Sequence, residues 1–379
     1  MINWMKIGLL GLFLLVVTGT VSGQEEIKPL RNKGFEVVDI LQSKDTTLIA
    51  FEHRYFRNPA HSIEYAKRIL ERIHPVKGNI QWVLLHRNRV MGVYDHLTYS
   101  KSKGTNLVSK IKFSQSDLAT AYQFQFRLHP TVEARFGRYD RPLETKLGLI
   151  LDTRVFLLRG LSVQSGIWFP VQNSLDTQEQ EIRMAPSQLN YFWSKESEHF
   201  VDITLGTFYG ERYGLDLEYR WAPLNQALSF GFQGAFTGYY NLYAHSFYST
   251  SLDDLLLLGD IEYFTPIENV SLKITAGQFL FESKGARLDV IRQFGMVDIG
   301  LFGAHSNRGQ TFGFQLACSL FPGKILSGKK WAVRSSESFR WQYSYNNVDP
   351  VALNFRKGHE RLADVVRQYR GRFMENQSH

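Results

Sequence analysis

The sequence has a single cysteine, Cys318, among its 379 residues. An intramolecular disulfide is therefore impossible, so packing, hydrogen bonds and ion pairs must hold the fold. Cys318 lies in an alternating apolar stretch, where we expect a buried, inert thiol rather than a nucleophile.

The sequence also lacks any long run of one charge. Lys and Arg number 44 against 36 Asp and Glu, which leaves a net charge of +8 and a pI near 9.3, but the basic residues are dispersed. Dispersed charge is not typical of a nucleic-acid-binding arm, so no nucleic-acid partner is expected. It favours only a general attraction to anionic surfaces such as lipopolysaccharide or acidic polysaccharide.

Long hydrophobic runs are missing beyond the first two dozen residues. Lys6, the apolar run Ile7–Val17 and the small residues Val21-Ser22-Gly23 have the order of a signal peptide, predicted over 1–23. No cysteine follows that could carry a lipid anchor. We expect the mature chain to begin near Gln24 and to lie outside the inner membrane.

Residues 24–97 have the pattern of a small periplasmic α/β module. Strands are predicted at Gly34–Leu41 and Thr46–Phe56, and two more surround the turn His86–Arg89. Between them, Asn58 is expected to cap a helix that Pro75 ends. The order is ββαββ. Its acidic and histidine side chains have no metal or catalytic spacing, so we assign them to a solvated surface.

After a polar linker (98–117), residues 118–346 alternate between apolar and polar side chains. The stretch Tyr213–Trp221 places Asp216, Glu218 and Arg220 on one face and bulky apolar groups on the other. About twelve to fourteen such segments of about 9–13 residues are typical of an outer-membrane barrel. The predicted fold is mainly β, with an antiparallel transmembrane β-barrel. A secreted β-sandwich or propeller is the alternative.

The polar face carries both signs of charge. An Arg or Lys on the lipid face near the middle of the bilayer would cost about 2–4 kcal/mol. We therefore predict that the charged residues of this face point into the lumen. Small residues on the same face leave open whether the interior is partly open or filled by a loop. The set comprises Asp152, Arg154, Asp216, Glu218, Arg220, Asp260, Glu262, Lys273, Arg287, Asp289 and Asp298.

Two further regions stand out. Tyr239, Tyr240, Tyr243, Phe247 and Tyr248 form an aromatic cluster in a predicted loop, where they could stack on sugar rings, form a membrane-interface girdle or pack the loop. Residues 347–379 are predicted to form a C-terminal tail with a helix from about Lys357 to Tyr369. Its apolar stripe includes Leu362 and Val366, and Arg361, Asp364 and Arg367 are expected to point outward.

Catalytic motifs are missing. There is no Gly-x-Ser-x-Gly stretch, and His245 and Ser246 are adjacent, so on a strand they would face opposite ways. His359 and Glu360 have no second histidine at metal spacing. Asp216 and Glu218 could serve as a carboxylate pair, but Arg220 beside them suggests charge neutralisation. No catalytic residue, metal or cofactor is predicted.

Several stretches resemble the YjbH-type family of exopolysaccharide-associated outer-membrane β-barrels. They are "GFEVVDILQSKDTTLIAFEHRYFRNPAHSIEYAKRIL", "KGARLDVIRQFGMVDIGLFGAHSNRGQTFGFQLACSLFPGK" and "DPVALNFRKGHERLADVV". The resemblance implies a non-enzymatic role in exopolysaccharide or capsule production or export across the outer membrane. It carries over no catalytic residues.

The implied partners are outer-membrane lipid, polysaccharide and periplasmic export components. The alternatives are a passive pore, a structural or interaction barrel, or a barrel enzyme acting on lipid or glycan.

Overall fold

The computed structural model describes residues 28–42, 46–72, 79–100, 122–136, 143–176, 180–243, 246–328, 331–345 and 351–377. The predicted signal peptide (1–23) and most of the predicted linker (98–117) lie outside these ranges, as do Pro75 and His245.

The N-terminal module contains a five-stranded sheet and a helix between its second and third strands. Its elements are β1 (Phe35–Gln42), β2 (Thr46–His53), α1 (Pro59–Glu71), β3 (Asn79–His86), β4 (Arg89–Asp95) and β5 (Thr98–Tyr99). The strands pair in chain order, with β2 and β3 parallel across the helical connection and the other pairs antiparallel. The ββαββ order is confirmed, and β5 extends the sheet into the first residues of the segment predicted as a linker.

Local chemistry explains the helix. The Asn58 side chain accepts a hydrogen bond from the Ala60 backbone N–H at 3.0 Å, and Pro59 occupies the first turn, where its missing N–H costs nothing. Ile63 and Ala66 lie on the buried stripe and pack into the same cluster as Trp82.

The second sheet contains most of the chain. Its strands are β6 (Phe124–Phe136), β7 (Leu143–Leu158), β8 (Leu161–Asn173), β9 (Arg183–Lys195), β10 (His199–Phe208), β11 (Arg212–Trp221), β12 (Leu228–Tyr243), β13 (Ser246–Ser249), β14 (Asp254–Phe264), β15 (Val270–Gln278), β16 (Lys284–Phe294), β17 (Val297–Ser306), β18 (Gly309–Cys318), β19 (Leu326–Ser327), β20 (Trp331–Arg334) and β21 (Phe339–Tyr345).

Sixteen described strands form this sheet, more than the twelve to fourteen predicted. The excess consists of short strands, because β13, β19 and β20 have only 4, 2 and 4 residues. Neighbouring strands within the sheet pair antiparallel, except that β20 joins β6 in parallel. Among the described residues, no ladder joins β21 to the opposite end of the sheet. The rings of Phe136 on β6 and Tyr343 on β21 nevertheless lie 5.1 Å apart. The sheet is thus large, mainly antiparallel and open; the closed barrel stays a prediction.

The two faces of this sheet differ in the way the alternation predicted. Large apolar side chains are exposed on one face, and mid-strand examples are Leu205, Ile274 and Leu301, at 55%, 55% and 64%. Their neighbours on the opposite face, such as Thr204 and Asp298, are buried. Since strand side chains alternate with period two, the two chemical surfaces run the length of the sheet.

The C-terminal segment 351–377 packs against the polar face and contains α2 (Leu362–Gln368) and α3 (Gly371–Glu375). Val351 and Phe355 pack with Leu258 and Phe279 in one buried cluster. The predicted helix is present but shorter than expected. The prediction that Asp364 and Arg367 point outward is wrong, because both are buried against the sheet.

The segment crosses the face from one end of the strands to the other. At what we call the far end, Leu353 and Arg356 accept backbone hydrogen bonds from Leu280 and Tyr209. At the module end, where the N-terminal module packs, Gly371 N–H donates to the Leu224 carbonyl at 2.9 Å. The polar face therefore packs against a segment of the protein's own chain.

Cys318 ends β18 and is partly exposed on the apolar side, so the expectation of a buried thiol is wrong. Within the ranges that the structure describes, no helix combines the length and the apolar character needed to cross a bilayer.

Candidate functional site

The predicted polar set lies on one face of the large sheet, the face covered by segment 351–377. Asp260, Lys273 and Arg287 are partly exposed. The other eight are buried: Asp152, Arg154, Asp216, Glu218, Arg220, Glu262, Asp289 and Asp298. Their burial means that protein groups, rather than bulk water, satisfy most of their charge.

Lys357 is the central cation of this face. Its Nζ lies 2.9 Å from Asp216 Oδ2, 2.8 Å from Glu218 Oε1 and 3.2 Å from Asp202 Oδ1, and its side chain is 0% exposed. Burial alone would lower the pKa of Lys357, but the three carboxylates outweigh it and raise that pKa. The ammonium stays charged and neutralises Asp216 and Glu218, whereas Asp202 also contacts Arg87.

This contact changes the interpretation of Asp216 and Glu218. Their cation is Lys357, whereas Arg220 donates to Asp260 and Ser229 and lies 3.6 Å from Glu262. The prediction that Arg220 neutralises the two neighbouring carboxylates is therefore wrong. Arg220 acts across the ladder because the strands beside it present their polar side chains at the same level.

A second charged centre surrounds Arg367. Its Nε donates to Glu262 Oε1 at 2.6 Å and one terminal nitrogen donates to Asp364 Oδ1 at 2.7 Å. Arg340 on β21 also reaches Asp364, at 2.8 Å. Burial would raise the pKa of Asp364, but Arg340 and Arg367 hold it well below its usual range.

Glu218 has an additional role at the start of α2. The N-cap position, Arg361, provides no side-chain hydrogen bond to the helix. Instead, the Leu362 N–H donates to Glu218 Oε2 at 2.6 Å. A carboxylate at a helix N-terminus satisfies an otherwise unpaired N–H and interacts favourably with the helix dipole. A strand about 140 residues away along the sequence thus caps this helix.

The N-terminal module joins the same network through its loops and hairpin tip. Arg57 contacts Asp298 at 2.6 Å, and Gln368 in α2 donates to the same carboxylate at 3.1 Å. Arg87, at the tip between β3 and β4, donates to Asp202 at 3.0 Å. Asp298 therefore connects the module, the sheet and the C-terminal segment.

The expectation that the acidic and histidine side chains of the module are solvated is wrong for several of them. Glu36 and Glu52 are buried. Glu36 pairs with Arg54, and Glu52 accepts a hydrogen bond from the Tyr122 hydroxyl at 2.7 Å. These groups lie where the module meets the large sheet, an interface that local sequence pattern does not reveal.

The aromatic cluster lies in paired strands rather than in the predicted loop. Tyr239, Tyr240 and Tyr243 belong to the last part of β12, and Phe247 and Tyr248 belong to β13, which pairs with it as a hairpin. Tyr239, Phe247 and Tyr248 are all exposed, and Tyr239 also lies against Arg212, whose guanidinium carbon is 4.3 Å from the ring centre. The sugar-stacking role stays a prediction.

His359, in the C-terminal segment, should make the stability of the folded protein depend on pH. Its Nε2 lies 3.1 Å from Asp202, but desolvation, together with Lys357 and Arg87, lowers its pKa from 6.5 to about 3. Below pH 6.5 the unfolded chain binds a proton that the folded chain does not. Acidification from pH 7 to 5 should therefore reduce the free energy of unfolding, by about 2 kcal/mol from this group.

Urea unfolding at pH 7 and pH 5 would measure this effect, with His359→Gln as the matched variant. The variant should lose less stability than the unaltered protein over that interval. A larger loss in the variant would mean that Asp202 holds His359 protonated, which contradicts the prediction.

Within the described ranges, no group of three or more His, Cys, Asp or Glu side chains is arranged to hold a metal ion. The residues that sequence reasoning missed are Lys357, Arg367, Asp364 and Asp202. Asp202 could have been included from the sequence, because it lies at one of the positions of β10 that alternate with apolar residues. The other three residues meet their partners only in the folded chain.

The fold and this site define a class: a mainly β protein with a large, mostly antiparallel sheet whose polar face buries charged residues beneath the C-terminal segment of the same chain. The comparison with protein families agrees with the resemblance seen in the sequence. The YjbH family model, described as "Exopolysaccharide biosynthesis protein YbjH", matches residues 20–313, and the chain belongs to this family. No curated protein and no solved structure matched the chain.

Proposed function

We propose that the protein is an outer-membrane β-barrel that assists exopolysaccharide production or export without catalysing a reaction. One observation carries this proposal: large apolar side chains cover the outside of the sheet, and charged side chains are buried inside. Contiguous exposed apolar surface beyond a few hundred Å² is rare on soluble monomers and marks a membrane or partner surface. Because every long strand of the sheet presents apolar side chains on this face, lipid suits the face better than water does.

Strand length and the approach of the sheet ends support closure around the interior. Most long strands have 9–16 residues, and about 9–11 suffice for a tilted strand to cross the hydrocarbon core. A sheet in lipid must close, because unpaired edge N–H and C=O groups cannot bond to water there. The contact between Phe136 and Tyr343 places β6 and β21 near each other, as closure requires.

We propose that the module end faces the periplasm and the far end faces the cell exterior. Both ends have short connections, such as 159–160 and 295–296 at the module end and 209–211 and 307–308 at the far end, but the far end also carries the β12–β13 hairpin. Short periplasmic turns and longer outer loops are the usual arrangement of bacterial barrels. Periplasmic export components and polysaccharide are the proposed partners, with outer-membrane lipid around the sheet.

The non-enzymatic part of the proposal rests on the occupation of the carboxylate pair. A general acid or nucleophile must reach a substrate atom within hydrogen-bond distance. Asp216 and Glu218 instead contact Lys357, and Glu218 also holds the Leu362 N–H. Their arrangement suits attachment of the C-terminal segment better than sugar hydrolysis.

Deleting the gene tests the function. We expect the amount or length of secreted or surface polysaccharide to change while membrane phospholipid and lipopolysaccharide stay the same. Complementation with the unaltered gene should restore the polymer. Complementation with Asp216→Asn should restore it in proportion to the amount of folded protein, which immunoblotting measures. An unchanged polymer in the deletion strain would contradict the proposal.

A further inference from the structure

A large cavity lies at the far end, between the polar face of β14–β18 and the start of the C-terminal segment. Its volume is about 1110 Å³, and its lining includes Phe136 and Tyr345, the last residues of β6 and β21. Sites for small molecules usually measure about 300–1,000 Å³. The space is thus large enough for an extended polar ligand and lies next to the far rim.

The lining of the cavity has a cationic surplus. Seven of its side chains are Lys or Arg, and four are Asp or Glu. Asp289 is matched by Arg287 at 2.7 Å, and Asp364 is matched by Arg340 and Arg367. Asp260 is paired with Arg220, which lies outside the lining. The carboxylates in the deeper part of the cavity are therefore already neutralised.

Lys273 and Arg361 of the lining make no direct ion pair with a carboxylate in the described part of the chain. Arg361 donates to two neutral oxygens, Gln233 Oε1 at 2.9 Å and the Phe355 carbonyl at 2.5 Å. Lys273 is partly exposed, and its ammonium makes no direct ion pair or hydrogen bond with a described residue, although its charge acts through space on Asp260 and Asp364. A partly desolvated cation that no carboxylate contacts directly attracts an anionic ligand more strongly than the same cation in water.

The rest of the lining suits a hydroxylated ligand. Gln342 and Asn354 provide amide groups, and Asn354 Oδ1 has no hydrogen-bond partner in the described part of the chain, whereas Asp289 and Arg340 already hold Gln315. Amide donors and acceptors of this kind pair with the hydroxyl groups of a sugar ring.

We propose that this cavity binds an anionic segment of a glycan, with Lys273 and Arg361 contacting its carboxylate groups. The inference rests on the proposed function and adds the chemical class of the ligand: an acidic rather than a neutral polysaccharide. Orientation with the far end outward would place this segment at the outer rim of the protein.

Calorimetric titration of the full chain in detergent micelles tests the proposal. The probes are a hexamer of galacturonic acid, the neutral hexamer maltohexaose, and inorganic phosphate. We expect the acidic hexamer to bind about tenfold or more tightly than maltohexaose, since charge-assisted hydrogen bonds are about twice as strong as neutral ones. Phosphate alone should bind weakly, because it lacks the hydroxyl groups of a sugar that meet the amides of the lining.

Lys273→Gln is the decisive variant, and Lys324→Gln, which removes the same charge from an exposed turn after β18, is its control. Lys273→Gln should weaken binding of the acidic hexamer about tenfold, and Lys324→Gln should leave it unchanged. Thermal unfolding of each variant shows whether it is folded. Arg361→Gln is a second variant, although it also removes contacts within the C-terminal segment.

Equal affinity for both hexamers, binding of phosphate as tightly as the acidic hexamer, no binding of the acidic hexamer, or unchanged binding by folded Lys273→Gln would each overturn the proposal. If any of these binding results is found and the deletion strain has an altered polymer, the proposed binding site is wrong but the proposed function is not contradicted. An unaltered polymer would remove the proposed function itself, whatever the titration shows.

Discussion

Lys357→Met should destabilise the folded protein by about 3–5 kcal/mol, the usual cost of leaving buried charge without its partner. The substitution keeps the volume and removes the only cation that contacts Asp216 in the described part of the chain. Asp216 is fully buried, so water cannot replace the ammonium without opening the structure. The C-terminal segment should then leave the polar face more readily.

Urea unfolding in detergent micelles measures the stability, and limited proteolysis reports release of segment 351–377. The control is Lys324→Met, which changes an exposed lysine and should alter stability by less than about 0.5 kcal/mol. A double variant that adds Asp216→Asn should recover part of the loss, because it removes one of the uncompensated charges. A stability of Lys357→Met equal to that of the control would show that the ion cluster does not hold the segment.

Leu301→Arg should prevent most of the protein from assembling in the membrane. Leu301 lies in the middle of β17 and is 64% exposed on the apolar face, between Val290 on β16 and Phe314 on β18. An arginine near the bilayer midplane costs about 2–4 kcal/mol, whereas near the interface the cost falls to about 0–1 kcal/mol. Quantifying folded protein in the outer-membrane fraction by immunoblotting checks this.

A variant at a different depth in the bilayer provides the control for Leu301→Arg. Phe294→Arg places the same charge on the same face at the end of β16, where a membrane-spanning strand would meet the interface. This variant should assemble nearly as well as the unaltered protein. Equal assembly of both variants, with Leu301→Arg more soluble than the parent, would show that water and not lipid covers this face, and would contradict the membrane proposal.

The sequence alone predicted which face of each long strand a residue occupies. Asp152, Asp289 and Asp298 were placed on the polar side from alternation alone, and the structure has all three buried there. This succeeded because side-chain direction in a strand depends only on the parity of the residue number. The start of α1 was equally local, since Asn58 and Pro59 determine the first turn.

Only the tertiary structure decided what covers the polar face. Lys357 meets Asp216 across 141 positions of sequence, and Arg367 meets Glu262 across 105. Loop closure over such distances leaves no local pattern, and the tail helix even takes its cap from Glu218 on a distant strand. Periodicity therefore determined the two surfaces of the sheet. Which charges pair inside it depended on how the ends of the chain fold back, because ion pairing requires proximity in space rather than in sequence.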